Sequence, residues 1–365
     1  MRRRSLAAIV VKVSGGSFGV LALSAGVVCM TSGCSTIGYY GQAVGGHLGV
    51  MQRSQSVDHL LADPLTPPAL RDRLKLSQRL RDFAISELKL PDNRSYRSYA
   101  DLQRSAAVWN VVATPELSLT LKTWCFPVAG CVGYRGYYSR EAADVQATEV
   151  RADGFEANVY GVPAYSTLGW TNWLGGDPLL NTFIDWPEGE LARLIFHELS
   201  HQVAYADDDT MFNESFAVAV ERIGGGRWLA QHGSEAARAE YAALDARRRD
   251  FKEITLRYRQ RLRGLYESAL PDAAKRAAKA TIYAELRADY ARLKAARWDG
   301  FAGYDGWVER ANNASFAVQA AYDELAGDFE RLFARSGGDF GRFYAEVQAL
   351  AKLPKNQRRA LLAAP

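Results

Sequence analysis

The chain has 365 residues, of which 48% are hydrophobic, 24% charged and 11% aromatic. This globular composition excludes a disordered chain, a collagen-like repeat and a disulfide-stapled miniprotein, and the length allows one large domain or two of average size. The formal net charge of +4 stems from residues 1–33, where Arg2, Arg3, Arg4 and Lys12 stand without an acid; the remainder has no net charge with which to hold nucleic acid.

Those arginines precede apolar runs at 6–13 and 18–30, the charged and apolar regions of a secretory signal. Neither run reaches the roughly 18–20 residues that span a bilayer. The segment Thr31-Ser32-Gly33-Cys34 resembles a bacterial lipobox, with Cys34 as the lipidated first residue of the mature chain. Ser35 rather than Asp follows it, which directs such lipoproteins to the outer membrane, facing the periplasm. Cys29 follows Val27 and Val28, poor cleavage-site residues. Cys125 and Cys131 then remain, with Pro127 and Gly130 between them to turn the chain. In an oxidising compartment they read as a local disulfide, since a zinc site there would need two further ligands and no second Cys or His pair is near.

Residues 34–65 form a Gly-containing lead-in or tether, broken by Asp63-Pro64 and Pro67-Pro68. Leu74, Leu80, Phe83 and Leu88 recur at helical spacing until Pro91. Short β-type runs occupy 107–122 and 145–162, with an aromatic, Gly-rich stretch at 133–138 between them. Pro187 suits the first position of a helix over 188–207, and a second helix runs from about 213 to 222 before Gly224-Gly225-Gly226 ends it. From 234 to 297 the composition shifts to Ala, Arg, Glu, Leu and Lys, and Pro271 divides it into a hairpin of two long helices. Its interleaved charges describe a solvated face, and the hairpin offers a surface for a protein partner. Helices near 312–334 and 340–351 close the chain. The expected divisions are a signal over 1–33, the tether over 34–65, a catalytic core over 66–230, the hairpin over 231–300 and C-terminal helices over 301–365.

The chemistry lies in His197-Glu198-Leu-Ser-His201, an HExxH motif. On a helix the two imidazoles stand one turn apart, roughly 6 Å, on one face, and both can reach one ion. Glu198 sits about 100° around the helix, placed to take a proton from water beside the metal. Ala192, Phe196, Leu199 and Val203 form an apolar stripe on the same helix. Two histidines and a glutamate there need partners, and a metal supplies them; hydrogen-bonded core histidines are the bland alternative. No third His follows closely, so the third ligand is one of Asp207, Asp208, Asp209, Glu214 and Glu221. The aspartates fall in a turn expected to be exposed, where acids need no explanation. Glu214 is preferred, because an Asn-Glu pair at a helix start after HExxH is the arrangement of gluzincin peptidases. Glu221 suits a carboxylate that orients a ligand histidine.

The segments HELSHQ, FNESFAVAVE, AYSTLGW, DPLL, CFPVAGC, YRGYY and the lipobox, in this order, resemble a family of bacterial lipoproteins called predicted aminopeptidases. The resemblance runs from Tyr39 to the terminal helices, including Asn312-Asn313-Ala314. It implies a mostly helical α+β fold, with a zincin-like catalytic core, a small sheet beside the HExxH helix and the helical hairpin. It implies a periplasm-facing zinc peptidase acting on peptides, with Zn²⁺ on His197, His201 and Glu214 and Glu198 as general base. Tyr165 is a candidate oxyanion donor, a buried structural tyrosine being the other reading. Residues 164–168 read equally as an edge strand for substrate or as a core strand. The competing class is a lipid-anchored envelope scaffold with structural zinc. A structural site closes with four protein ligands and has no use for Glu198.

Overall fold

A computed structural model describes residues 38–126, 130–164, 176–207, 209–319 and 325–364. Leu48–Pro365 forms one compact unit. Where the sequence reads as a Gly-containing lead-in, a helix covers 38–52 (α1). It is followed by β1 (Gln55–Ser56), α2 (Val57–Ala62) and α3 (Pro68–Ser86). Val57 and Leu60 of α2 join the main core, so this part of the expected tether belongs to the folded body. Then come β2 (Ser98–Ala100), β3 (Val108–Pro115), β4 (Trp124–Phe126), β5 (Gly130–Val132), β6 (Arg135–Tyr137), α4 (Arg140–Ala152), β7 (Phe155–Val162) and β8 (Leu179–Leu180). The second half is helical: α5 (Glu188–Ser200), α6 (Thr210–His232), α7 (Glu235–Glu267), α8 (Asp272–Arg297), α9 (Asp305–Glu309), α10 (Asn313–Gln319), α11 (Ala326–Arg335), α12 (Phe340–Ala351) and α13 (Lys355–Leu362). The fold class is therefore α+β and mostly helical. No helix of the described residues is long and apolar enough to cross a membrane.

The strands make three small sheets, ordered β1-β2-β8, β6-β3-β7 and β4-β5. In the second, β3 is central and antiparallel to both neighbours, with Val111 opposite Val159. β4 and β5 pair antiparallel with Cys125 opposite Cys131, and these two form the disulfide. Of the span 145–162, read as carrying short β-type runs, the run from Phe155 is β7, and α4 occupies the first half. Ser139 caps that helix by accepting from Ala142 N at 3.3 Å, and Ala143, Ala147 and Val150 form its buried stripe. The sheet packs on α4 and α10. The HExxH helix, α5, packs chiefly against α3, α6 and α7, and it shares the main core with Ala100 of β2 and Leu179 and Leu180 of β8. Its buried residues Leu191, Ala192, Ile195, Phe196 and Leu199 fall within an arc of about 140° on one face, the apolar stripe by which it joins the main core.

Gly224-Gly225-Gly226 does not end a helix. α6 runs through it to His232, because the glycines serve close approach rather than a turn. A Cβ on Gly224 would stand 2.6 Å from Leu88 Cδ1 and 2.9 Å from Phe196 Cδ2, and one on Gly225 would stand 3.1 Å from Arg193 Cγ. α6 thereby comes close enough to α5 for side chains of the two helices to meet at hydrogen-bonding distance. The main core joins α3, α5, α6, α11 and α12, where Phe216 packs against Phe329 and Phe343. A second cluster joins the α7–α8 hairpin to α9 and α10 through Phe251, Tyr290, Trp298 and Phe316. The hairpin has the expected bounds, split at Pro271.

Candidate metal centre

The first of the two helices that build the site, α5, begins after Pro187, carries Glu188 and Glu190 in its first turn, where acids complement the helix dipole, and ends at Ser200. His201 caps it with φ −59° and ψ −20°, which keeps it in helical phase with His197. Their ring centroids are 4.9 Å apart. The helix stops short of the expected 207, since a tight loop folds back into α6. Asn213 closes this loop: its Oδ1 accepts from Ala206 N and its Nδ2 donates to Ala206 O, both at 2.8 Å. The Asn of the Asn-Glu pair thus fixes the loop, and the Glu that follows it turns to the histidines.

Glu214 Oε2 lies 3.3 Å from His197 Nε2 and 3.8 Å from His201 Nε2. Ligand atoms of His197, His201 and Glu214 all lie within 4.8 Å of one another, the one such group of three among the described residues. Two donors bound at about 2.0–2.1 Å to a tetrahedral zinc stand about 3.3 Å from each other. The donor set of two imidazoles and one carboxylate is therefore compatible with zinc in chemistry and, nearly, in spacing.

Glu221 follows Glu214 by two helical turns on the same face of α6. Its Oε2 is 2.9 Å from His197 Nδ1, and its Oε1 accepts from Arg193 Nη2. With a proton kept on Nδ1 and shared with Glu221, the Nε2 lone pair would be the one offered to an ion beside Glu214 and His201. Arg193 is the partner that sequence reasoning missed; its signal was its place one turn before His197 on α5. His201 differs, since its buried Nδ1 finds no hydrogen-bond partner among the described residues.

Burial works against a charged His197, but the carboxylates of Glu214 and Glu221 outweigh it and hold this imidazole well above its usual range. Burial lowers His201 to about 4, and the charge of His197 adds to that. Burial raises both Glu214 and Glu221, yet both end below the ordinary carboxylate value, Glu214 through His197 and His201 and Glu221 through Arg193 and His197. Glu198 goes the other way. Burial pushes it up to about 7 despite His197, with the charges of Glu214 and Asp177 adding to the rise. Asp177 is itself buried, and its N donates to Ser95 Oγ, which also accepts from Gln202 Nε2 beside His201.

Of the aspartates weighed as third ligand, Asp207 is exposed, Asp208 lies outside the described residues and Asp209 is 1% exposed, not in an open turn. Asp209 Oδ1 caps α6 by accepting from Phe212 N, and the same carboxylate takes Arg358 and Arg359 of α13. Its charge is consumed there. Tyr165 and Cys34 lie outside the described residues, as does all but Ala164 of the segment 164–168. Tyr205, in the loop after His201, is raised by burial and by the charges of Glu214 and Asp207, which brings it into electrostatic reach of the cluster.

The fold and site define a mostly helical α+β protein with a partly buried His–His–Glu group that could hold a metal ion. The chain belongs to the family described as "Putative aminopeptidase", whose model matches residues 38–362. No curated protein and no solved structure matches it.

Proposed function

We propose that this chain is a zinc-dependent peptidase with a zincin-like catalytic centre, in which His197, His201 and Glu214 hold the ion and Glu198 is the general base. The family membership supports peptide hydrolysis, and the observation that carries the metal reading is the convergence of the three donors around one position. Bound there, zinc supplies Lewis-acid polarisation of a carbonyl and acidification of water. Glu198 stands beside that position on the next residue of α5, and a carboxyl titrating at about 7 can both accept and return a proton near neutrality. It takes the proton of the attacking water and delivers it to the leaving amine. Glu221, anchored by Arg193, keeps the His197 ring oriented and its Nδ1 proton in place. Tyr165 remains the proposed oxyanion donor, a role often worth about 3–4 kcal/mol.

The signal-like N-terminus and the lipobox-like segment support a reading of this activity in the cell envelope, with the chain lipid-anchored through Cys34 and facing the periplasm, at the outer membrane by the residue after the cysteine. The Cys125–Cys131 disulfide accords with an oxidising compartment. The test uses the soluble chain from Ser35, zinc-loaded, on a peptide library with free and blocked N-termini, read by mass spectrometry. Single-residue loss from free N-termini only is the expected product pattern. Glu198→Gln is expected to keep zinc and lower turnover by about 10²–10⁴-fold. Undiminished turnover in that variant would refute the role of Glu198. No cleavage with zinc fully bound would favour the envelope scaffold.

A further inference from the structure

The α7–α8 hairpin does more than fill its own core. Between α7, β7 and α9–α10 lies a groove of about 780 Å³, within the roughly 300–1,000 Å³ of ligand sites. It is distinct from the metal centre, since none of His197, Glu198, His201 and Glu214 lines it. One wall is a single face of α7. Arg248, Lys252, Arg259 and Arg263 follow each other at intervals of four, seven and four residues, which keeps all of them on one side of a helix. At 1.5 Å per residue this cationic face extends for roughly 22 Å. Leu256 lies between its two basic pairs, Phe251 falls within the first, and Tyr160, Tyr304 and Trp307 belong to the opposite side. No Asp or Glu lines the groove among the described residues.

Arg248 is balanced by Glu190 and Asp245, and Lys252 and Arg259 also engage neighbours. Arg263, at the far end, is exposed. No carboxylate belongs to the lining itself, and those of Glu190 and Asp245 are taken up by Arg248. The remaining lining is amide and hydroxyl, from Asn158, Thr255, Ser315 and Gln319. A simple acyl chain has no use for such groups. A nucleic acid strand would meet a molecule without net charge beyond residue 33.

We propose that this groove binds an extended acidic peptide segment, with carboxylates on the two basic pairs and an apolar side chain between them against Leu256 and Trp307. The gap from Lys252 to Arg259 is roughly 10 Å along the helix, which an extended chain at about 3.3 Å per residue covers in three to four residues. The inference does not rest on the peptidase reading, because neither the metal nor Glu198 takes part.

The test is fluorescence anisotropy with the full chain carrying Glu198→Gln, so that no probe is cleaved. The probe is a labelled peptide with two glutamates four residues apart flanking a phenylalanine. Expected is saturable binding that survives zinc chelation, weakens at least tenfold in Arg263→Glu and in Leu256→Glu, and falls with added salt. Leu256 is 40% exposed, so these variants keep the fold, which circular dichroism checks. The same peptide with lysines for glutamates is expected not to bind. Equal binding of both peptides, no binding of the acidic one, loss on chelation, or preference for an oligothymidylate of similar length would each overturn the proposal.

Discussion

Different carboxylates flank the two ring nitrogens of His197, Glu221 at Nδ1 and Glu214 at Nε2. The first orients the ring and the second completes the donor set, so the two acids answer to different experiments. Glu214→Ala removes a donor and is expected to abolish tight zinc binding. Glu221→Gln leaves all three donors in place but weakens the acceptor for Nδ1–H and leaves Arg193 without its charge partner. Zinc affinity is expected to fall about 10–100-fold, a cost typical of losing the group behind a ligand histidine. Competition against a chromophoric chelator measures both, and equal affinities for Glu221→Gln and wild type would show that Glu221 does not orient the ring. The HExxH pair was legible in the sequence because its partners sit one turn apart on one helix. Glu214 was legible only through the likeness of its surroundings to a known arrangement, and Arg193 offered only its place one turn before His197, without its partner. Its pairing with Glu221 spans 28 residues, a separation that no local spacing rule covers.

Helix α6 is fixed at both ends by contacts that local patterning misjudged. At its N-terminus Asp209 caps the first turn and holds Arg358 and Arg359 of α13. Burial would raise this carboxyl, but the Arg359 hydrogen bond and charge, with the bond from Phe212 N, hold it below its usual value. A depressed folded value means stability that is present above the unfolded value of about 3.9 and is lost as pH falls through the folded one. Asp209→Asn is therefore expected to cost about 3–5 kcal/mol near neutrality, the loss of a buried ion partner. The difference from wild type is expected to shrink below about pH 4. Denaturant melts at pH 7 and pH 3 check this, and a difference that does not change with pH would show that the Asp209 charge is not what clamps α13. Further along, Gly224→Ala would press a methyl onto Leu88 and Phe196. The expected loss is about 1–3 kcal/mol, read by thermal unfolding, with zinc affinity reduced as α5 and α6 move apart. A stability equal to wild type would mean that the helices have slack at this crossing. Three consecutive glycines are a strong breaker signal by propensity, but a helix buried against two neighbours gains more from close packing than it loses in backbone entropy.

Across the whole molecule, the His–His–Glu group joins the two central helices, and an ion held there would tie them together. A ligand that binds only the folded state stabilises it by about 4 kcal/mol at a thousandfold excess over its dissociation constant. Chelation is thus expected to lower the melting temperature of wild type and of Glu198→Gln alike, and to leave His197→Ala unchanged. A calorimetric scan with and without chelator decides it. An equal response in all three proteins would mean that the stabilising ion sits elsewhere. The hairpin and its groove stand apart from this centre, joined to it through the Arg248–Glu190 pair on α7 and α5.

What the sequence determined by itself was whatever depends on neighbours along the chain. That covers the helical spacing of α3, the hairpin split at Pro271, the opposed cysteines of a short turn and the two histidines of one helix face. Helix periodicity, proline geometry and short loops are local physics, and they survive into the fold unless burial overrides them. Tertiary structure decided the rest: that α6 continues through three glycines, that Asp209 is a buried clamp, and that Arg193 and Glu221 lock the ligand ring. It also decided that α7 gathers four cations along one open groove. Each of these depends on which faces of distant helices meet. A sequence can state that a face is polar or small, but the surface it meets is set only when the helices pack.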